Sequence, residues 1–223
     1  MDEAELRKER SITILKKQGI PYFDGLPVIE TEDEADFRPV KEVAKRALTV
    51  IITASYAAGL DSDDDIKEDQ SFFQNLLLKY NLKVAMTNRE KKFMAAMTLD
   101  KKEAVIFSWR YEAGLVLMWA LGLVPALYYP DRICNSQLLI NMIRDHDDFD
   151  SFFATVKMRE YSEILDEADL IYRYRWAAVD AMFIENKPEP PGGMDKSVLI
   201  ERHVALNWLI GLGDDYEDVP LDT

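Results

Sequence analysis

Pro39-Val40-Lys41-Glu42-Val43-Ala44-Lys45-Arg46-Ala47-Leu48-Thr49-Val50-Ile51-Ile52-Thr53-Ala54-Ser55 is the stretch that decides the fold. Val40, Val43, Ala44, Ala47, Leu48, Ile51, Ile52 and Ser55 return every three or four positions, which is the period of one helix face and not of a strand. Proline suits a first helical turn because its missing N–H would have no partner there. Gly59 offers a stop. The spacing predicts a helix from Pro39 to Gly59.

The same period recurs on both sides. Residues 3–18 carry Leu6, Ile12 and Leu15 among charges and end at Gly19, a good helix terminus. Pro21, Gly25 and Pro27 then forbid a helix, while Ile20, Tyr22, Phe23, Leu26, Val28 and Ile29 favour burial; an ordered extended arm and loop is expected over 20–38. Beyond the acidic run Asp61 to Asp65, a third helix bears Ile66, Phe73, Leu76, Leu77 and Tyr80. Thr87-Asn88-Arg89-Glu90 has the form of a capping box, in which Thr and Glu satisfy each other's backbone donors. It begins a short helix with Phe93, Met94 and Met97. Asp100-Lys101-Lys102-Glu103 repeats the device and opens the most apolar helix, running to Gly122. Further helices are expected over 135–144, from about 156 to 184, and, capped by Asp195, over 196–211. Only Lys83 to Met86 has any strand character, as a brief partner for the arm. The expected architecture is therefore one all-α domain over 1–223, of about seven or eight helices, with a Pro/Gly loop at 186–195 and an acidic tail at 212–223.

Composition narrows the function classes. The 223 residues include 41 Asp and Glu against 27 Lys and Arg, a net charge of −14. That field repels nucleic-acid phosphates and anionic membranes and attracts a basic protein surface. The single cysteine, Cys134, excludes an internal disulfide and a thiolate cluster, and it has no His or Lys beside it in sequence to activate it. The acidic opening Met1-Asp2-Glu3-Ala4-Glu5 is the reverse of a signal peptide, so a cytoplasmic protein is expected. The uncharged run Ala113 to Pro130 contains Gly122 and Pro125 and reads as a buried helix and turn.

Several motifs are incomplete. Asp33-Glu34-Ala35-Asp36 spells a helicase signature without any phosphate-cradling glycine loop, and Gly192-Gly193-Met194-Asp195-Lys196-Ser197 places an Asp where phosphate would sit. Asp61, Asp63 and Asp65 match the first ligands of a calcium loop, but Ile66 and Phe72 stand where Gly and Glu are needed. His146-Asp147 is half of a helical metal site, and the other histidine, His203, lies downstream. No cofactor or metal is expected from these pieces.

What remains is charge in apolar context. Within Ser108-Trp109-Arg110-Tyr111-Glu112-Ala113-Gly114, Glu112 shares a helical face with Trp109, Leu115, Val116 and Trp119. Asp166, Asp169, Arg173, Trp176 and Asp180 form one stripe. His203 and Asn207 lie a turn apart in Glu201-Arg202-His203-Val204-Ala205-Leu206-Asn207-Trp208. A buried carboxylate needs a cation or donor, so Glu112 is expected to pair with an arginine of another helix, Arg173 or Arg202.

These blocks carry a resemblance. Arg10-Ser11-Ile12, Gly19-Ile20-Pro21 and Leu26-Pro27, then Trp109-Arg110-Tyr111-Glu112 and Trp119-Ala120-Leu121-Gly122, then Ile164 to Arg173, Trp176-Ala177, Asp180-Ala181 and Glu201-Arg202-His203, are similar to an uncharacterised bacterial family known as a domain of unknown function (number four-two-seven-two). The resemblance covers nearly the whole chain. The family pattern places His before the Trp where this chain has Arg175, which weighs against an enzyme reading. No reaction, substrate or cofactor comes with it. Two expectations therefore stand. One is a non-catalytic interaction or regulatory protein with a basic protein partner, in one version immunity-like; the other is a small-molecule enzyme or sensor whose pocket is lined by Glu112, Asp169, Arg173 and His203.

Overall fold

The computed structural model describes residues 2–221. Its α-helices are α1 (Glu3–Gln18), α2 (Val40–Gly59), α3 (Asp63–Lys79), α4 (Asn88–Ala95), α5 (Lys101–Trp109), α6 (Tyr111–Ala120), α7 (Ser136–Arg144), α8 (Phe149–Phe153), α9 (Tyr161–Val179) and α10 (Lys196–Leu209). Among the described residues no strand occurs, and the fold is all-helical. Lys83 to Met86 is turn and coil, with Val84 in solvent.

The stretch that predicted a helix forms the centre of the molecule. From Val43 to Ala57 nearly every side chain of α2 is buried, as expected for a helix covered on all sides. α5, α6, α3 and α7 pack around it. α6 passes the core on to α10, α10 to α9, and α9 to α1. Gly114 makes the α2–α6 approach possible, because a Cβ there would stand 2.5 Å from Ile51.

The helix expected to run from 101 to 122 is two helices. Arg110 ends α5 and starts α6 with φ −62° and ψ −7°, and its side chain reaches Glu217 and Glu90. The Asp100 carboxylate caps α5 through the Lys102 and Glu103 N–H groups, but Glu103 turns to Arg89 and does not complete a box. The Thr87–Glu90 box is present. The short helix it opens stops at Ala95, leaving Met97 exposed.

Two boundaries moved for one reason. α6 ends at Ala120, short of the expected Gly122, whose φ of +75° turns the chain against the extended segment 156–160. There Lys157 N–H donates to the Leu121 carbonyl (3.1 Å) and Arg159 N–H to the Ala120 carbonyl (2.9 Å). The Arg159 side chain donates to the carbonyls of Trp119, in the last turn of α6, and of Val124 and Pro125 beyond it, at 2.8, 3.0 and 2.8 Å. These tasks keep 156–160 out of the helix predicted from about 156. At its other end α9 runs into a widened turn, Asp180–Ile184, as far as expected.

The arm crosses α1 and α9, but its apolar residues are not equally buried. Ile20 and Leu26 are buried, Tyr22 and Ile29 partly so, and Phe23 and Val28 are exposed, Phe23 stacking on Trp176. Cations hold its backbone: Arg7 donates to the Glu30 carbonyl, Lys8 to those of Asp24 and Leu26, and Arg173 to that of Pro27. The expected acidic tail is likewise no free tail. Tyr216 is buried, Glu217 reaches the α4–α6 region, and Asn207 donates to the Pro220 carbonyl; the last two residues, 222 and 223, lie outside those described.

Candidate functional site

Glu112 stands in the first turn of α6, 1% exposed. One carboxylate oxygen accepts from Arg202 Nε of α10 at 3.1 Å, and the other from the Cys134 backbone N–H. Arg202 Nη1 donates to the Tyr128 carbonyl at 2.6 Å. The expected inter-helix pair is therefore Glu112 with Arg202, and it also fixes the loop between α6 and α7. Arg173 has a different partner. It lies one turn after Asp169 on α9 and donates to both its oxygens, at 2.8 and 2.7 Å, with exposures of 1% and 0%. The predicted stripe splits accordingly: Asp169 and Arg173 are sealed under the arm, while Asp166 meets Arg7 and Arg10 of α1.

His203 is 1% exposed and makes no hydrogen bond to the other three residues; its Nδ1 has no partner among the described residues. Burial, reinforced by the Arg175 charge, pushes its pKa down to about 3. It is a neutral imidazole at pH 7. Burial and the neighbouring Glu112 push the Cys134 thiol far above its ordinary value, so the thiolate is suppressed. The four sequence candidates are thus not gathered around one cavity. Asp169 and Arg173 come together, Glu112 joins Arg202, and His203 stands apart.

A second charged cluster lies between α2, α4, α6 and the C-terminal segment. Glu90, fully buried, accepts from Arg46 and from Arg110 (3.3 Å). Arg110 donates to both oxygens of Glu217 at 2.9 and 2.6 Å, and Thr87 Oγ1 adds a third donor at 2.8 Å. Burial alone would raise the Glu217 pKa, yet Arg110 and Thr87 hold it below the usual carboxylate range. Arg46 was detectable in the sequence as a cation inside the apolar α2 period. Nothing in the sequence marks Glu217, because one acid among many in 212–223 carries no sign of its partner.

Unlike the carboxylates above, Glu201 and Glu167 have no ion-pair partner among the described residues. Both are half-buried, and desolvation pushes each up to about 7 against the partial pull of nearby arginines, Arg110 for Glu201 and Arg202 for Glu167. Glu167 lines a cavity of about 140 Å³ between α1, α9, α10 and residues 127–130, together with Arg202, Tyr128 and Tyr174. A shallower hollow of about 270 Å³ lies beside Glu112, Trp109, Ile133 and Cys134. Among the described residues no three His, Cys, Asp or Glu side chains are placed to hold a metal ion, and no helix is long and apolar enough to cross a membrane.

Neither a curated protein nor a solved structure matches the chain. A family model described as Domain of unknown function (DUF4272) matches residues 7–219, a span containing the Glu112–Arg202 pair, the Asp169–Arg173 pair and the Glu90–Glu217 cluster. The chain belongs to that family.

Proposed function

We propose that this protein is a non-catalytic interaction protein of the cytoplasm that docks a protein partner with a basic surface. The observation that carries the reading is the outer face of α3. Asp64, Glu68 and Phe72 recur there at four-residue steps, with Phe72 58% exposed, while Ile66, Phe73 and Leu77 anchor the opposite side on the core. An aromatic side chain standing in water beside carboxylates has the make-up of an interface anchor with a charged rim. The net charge of −14 favours encounter with a cationic protein and disfavours nucleic acid. The candidate side chains Asp169, Arg173 and Glu112 are spent on internal partners, which supports binding over chemistry.

A photo-crosslinking residue at position 72, used in the source cells, tests this. The expected result is one stoichiometric protein partner with a basic surface. Its rebinding to the purified chain weakens with salt and falls at least about tenfold with Glu68→Lys. No crosslink above background, or rebinding indifferent to both Glu68→Lys and Phe72→Ala, contradicts the reading.

A further inference from the structure

The cavity between α1, α9 and α10 has a feature that the sealed ion pairs lack, a charged wall group whose side chain has no partner among the described residues. Its floor and sides include Leu170, Ile171, Leu206 and Tyr174; Tyr128 also borders it but is 76% exposed, and its carbonyl accepts from Arg202. Glu167 enters from α9, and no hydrogen bond or ion pair to it occurs among the described residues. The other charged wall residue, Arg202, is already neutralised by Glu112 and commits a second nitrogen to the Tyr128 carbonyl. The excess charge of the cavity is therefore one carboxylate. At about 140 Å³ the space resembles apolar cavities that accept a benzene-sized body.

We propose that this cavity binds a small primary amine, its ammonium on Glu167 and its short apolar stem against Tyr174, Ile171 and the leucines. An ammonium supplies the counter-charge that Glu167 lacks, and the Tyr174 ring adds a favourable cation–π field. The same chemistry comes from a simple alkylamine or from the amino end of an α-amino acid. In the second case the ligand carboxylate meets Arg202 Nη2, which has no protein acceptor among the described residues.

Binding requires Glu167 ionised. Arg202 of α10 and Arg159, ahead of α9, favour the ionised form, whereas burial and Asp166 on its own helix oppose it, and its pKa stands at about 7. Tyr174, facing it from the same helix, is held neutral, pushed up to about 12 by burial. Affinity for an amine should then fall by about tenfold per pH unit below 7.

Isothermal titration of the full chain with isoamylamine, leucine and uncharged isoamyl alcohol decides the matter. Saturable binding of the amine or the amino acid, at least about tenfold tighter than the alcohol, is expected. It should be lost in Glu167→Gln and partly restored in Glu167→Asp. If Glu167→Gln does not fold, the pH series on the natural chain takes its place, with the loss expected below pH 7. Tighter leucine than amine binding, weakened by Arg202→Lys, assigns the amino acid; the reverse order assigns the simple amine. No heat at millimolar amine and leucine, equal binding of the alcohol, or binding unchanged by Glu167→Gln or by pH overturns the proposal.

Discussion

At the scale of single residues, charge is either matched or held in check. Glu112, Asp169 and Glu90 are carboxylates with almost no exposure, and each accepts from a guanidinium in the same pocket. Without those partners, desolvation would protonate them or open the structure. Among the described residues Glu167 and Glu201 have no such partners, and the difference predicts a pH dependence. Their folded pKa, about 7, lies above the ordinary 4.5, so between those values the folded chain holds protons that the unfolded chain has released. Their stabilising contribution is complete below pH 4.5 and is lost as pH rises through 7. His203 works in the opposite sense: lowered from 6.5 to about 3, it stabilises above 6.5 and loses that contribution as pH falls. Urea melts of the Glu167→Gln/Glu201→Gln chain against the natural one, from pH 5 to 7.5, isolate the carboxylates. The variant should gain relative stability as pH rises, by up to about 1.4 kcal/mol per pH unit per proton; parallel curves would refute the assignment. The Glu112 pairing was legible because a lone carboxylate in an apolar face demands a cation. The choice of Arg202 over Arg173 was not, because Asp169 stands four residues before Arg173 and claims it.

At the scale of elements, helix existence followed from period and caps, and the errors fall where tertiary partners compete for the backbone. Residues 156–160 could have extended α9, but their N–H groups and the Arg159 side chain complete the end of α6. The break at Arg110 inside an apolar run goes with a guanidinium drawn to Glu90 and Glu217, acids remote in sequence. Gly122 is the hinge of this arrangement. Its φ of +75° is costly for any side chain, and a Cβ would stand 2.4 Å from the Lys157 carbonyl oxygen. Gly122→Ala should therefore cost about 2–4 kcal/mol, combining left-handed strain with overpacking. A thermal melt checks it, and a loss under about 0.5 kcal/mol would show that the contact is soft.

Across the whole molecule, the ion pairs tie together parts far apart in the chain. Glu112 joins α6 to α10 and the 128–134 loop; Glu217 brings the C-terminal segment onto α4 and α6; Arg173 and Arg7 hold the arm. The all-helical class and the extended arm were readable from sequence, since both rest on local spacing and on prolines. The docking of the acidic C-terminal segment was hidden, because composition alone suggests a solvated tail. If the charged blocks serve architecture, losing one link should weaken the entire fold and not a single site. Urea unfolding of Glu112→Gln beside the natural chain measures this most directly. The expected outcome is one cooperative transition shifted by about 3–5 kcal/mol, the cost of leaving Arg202 buried without its counter-charge. An unchanged midpoint would contradict the account.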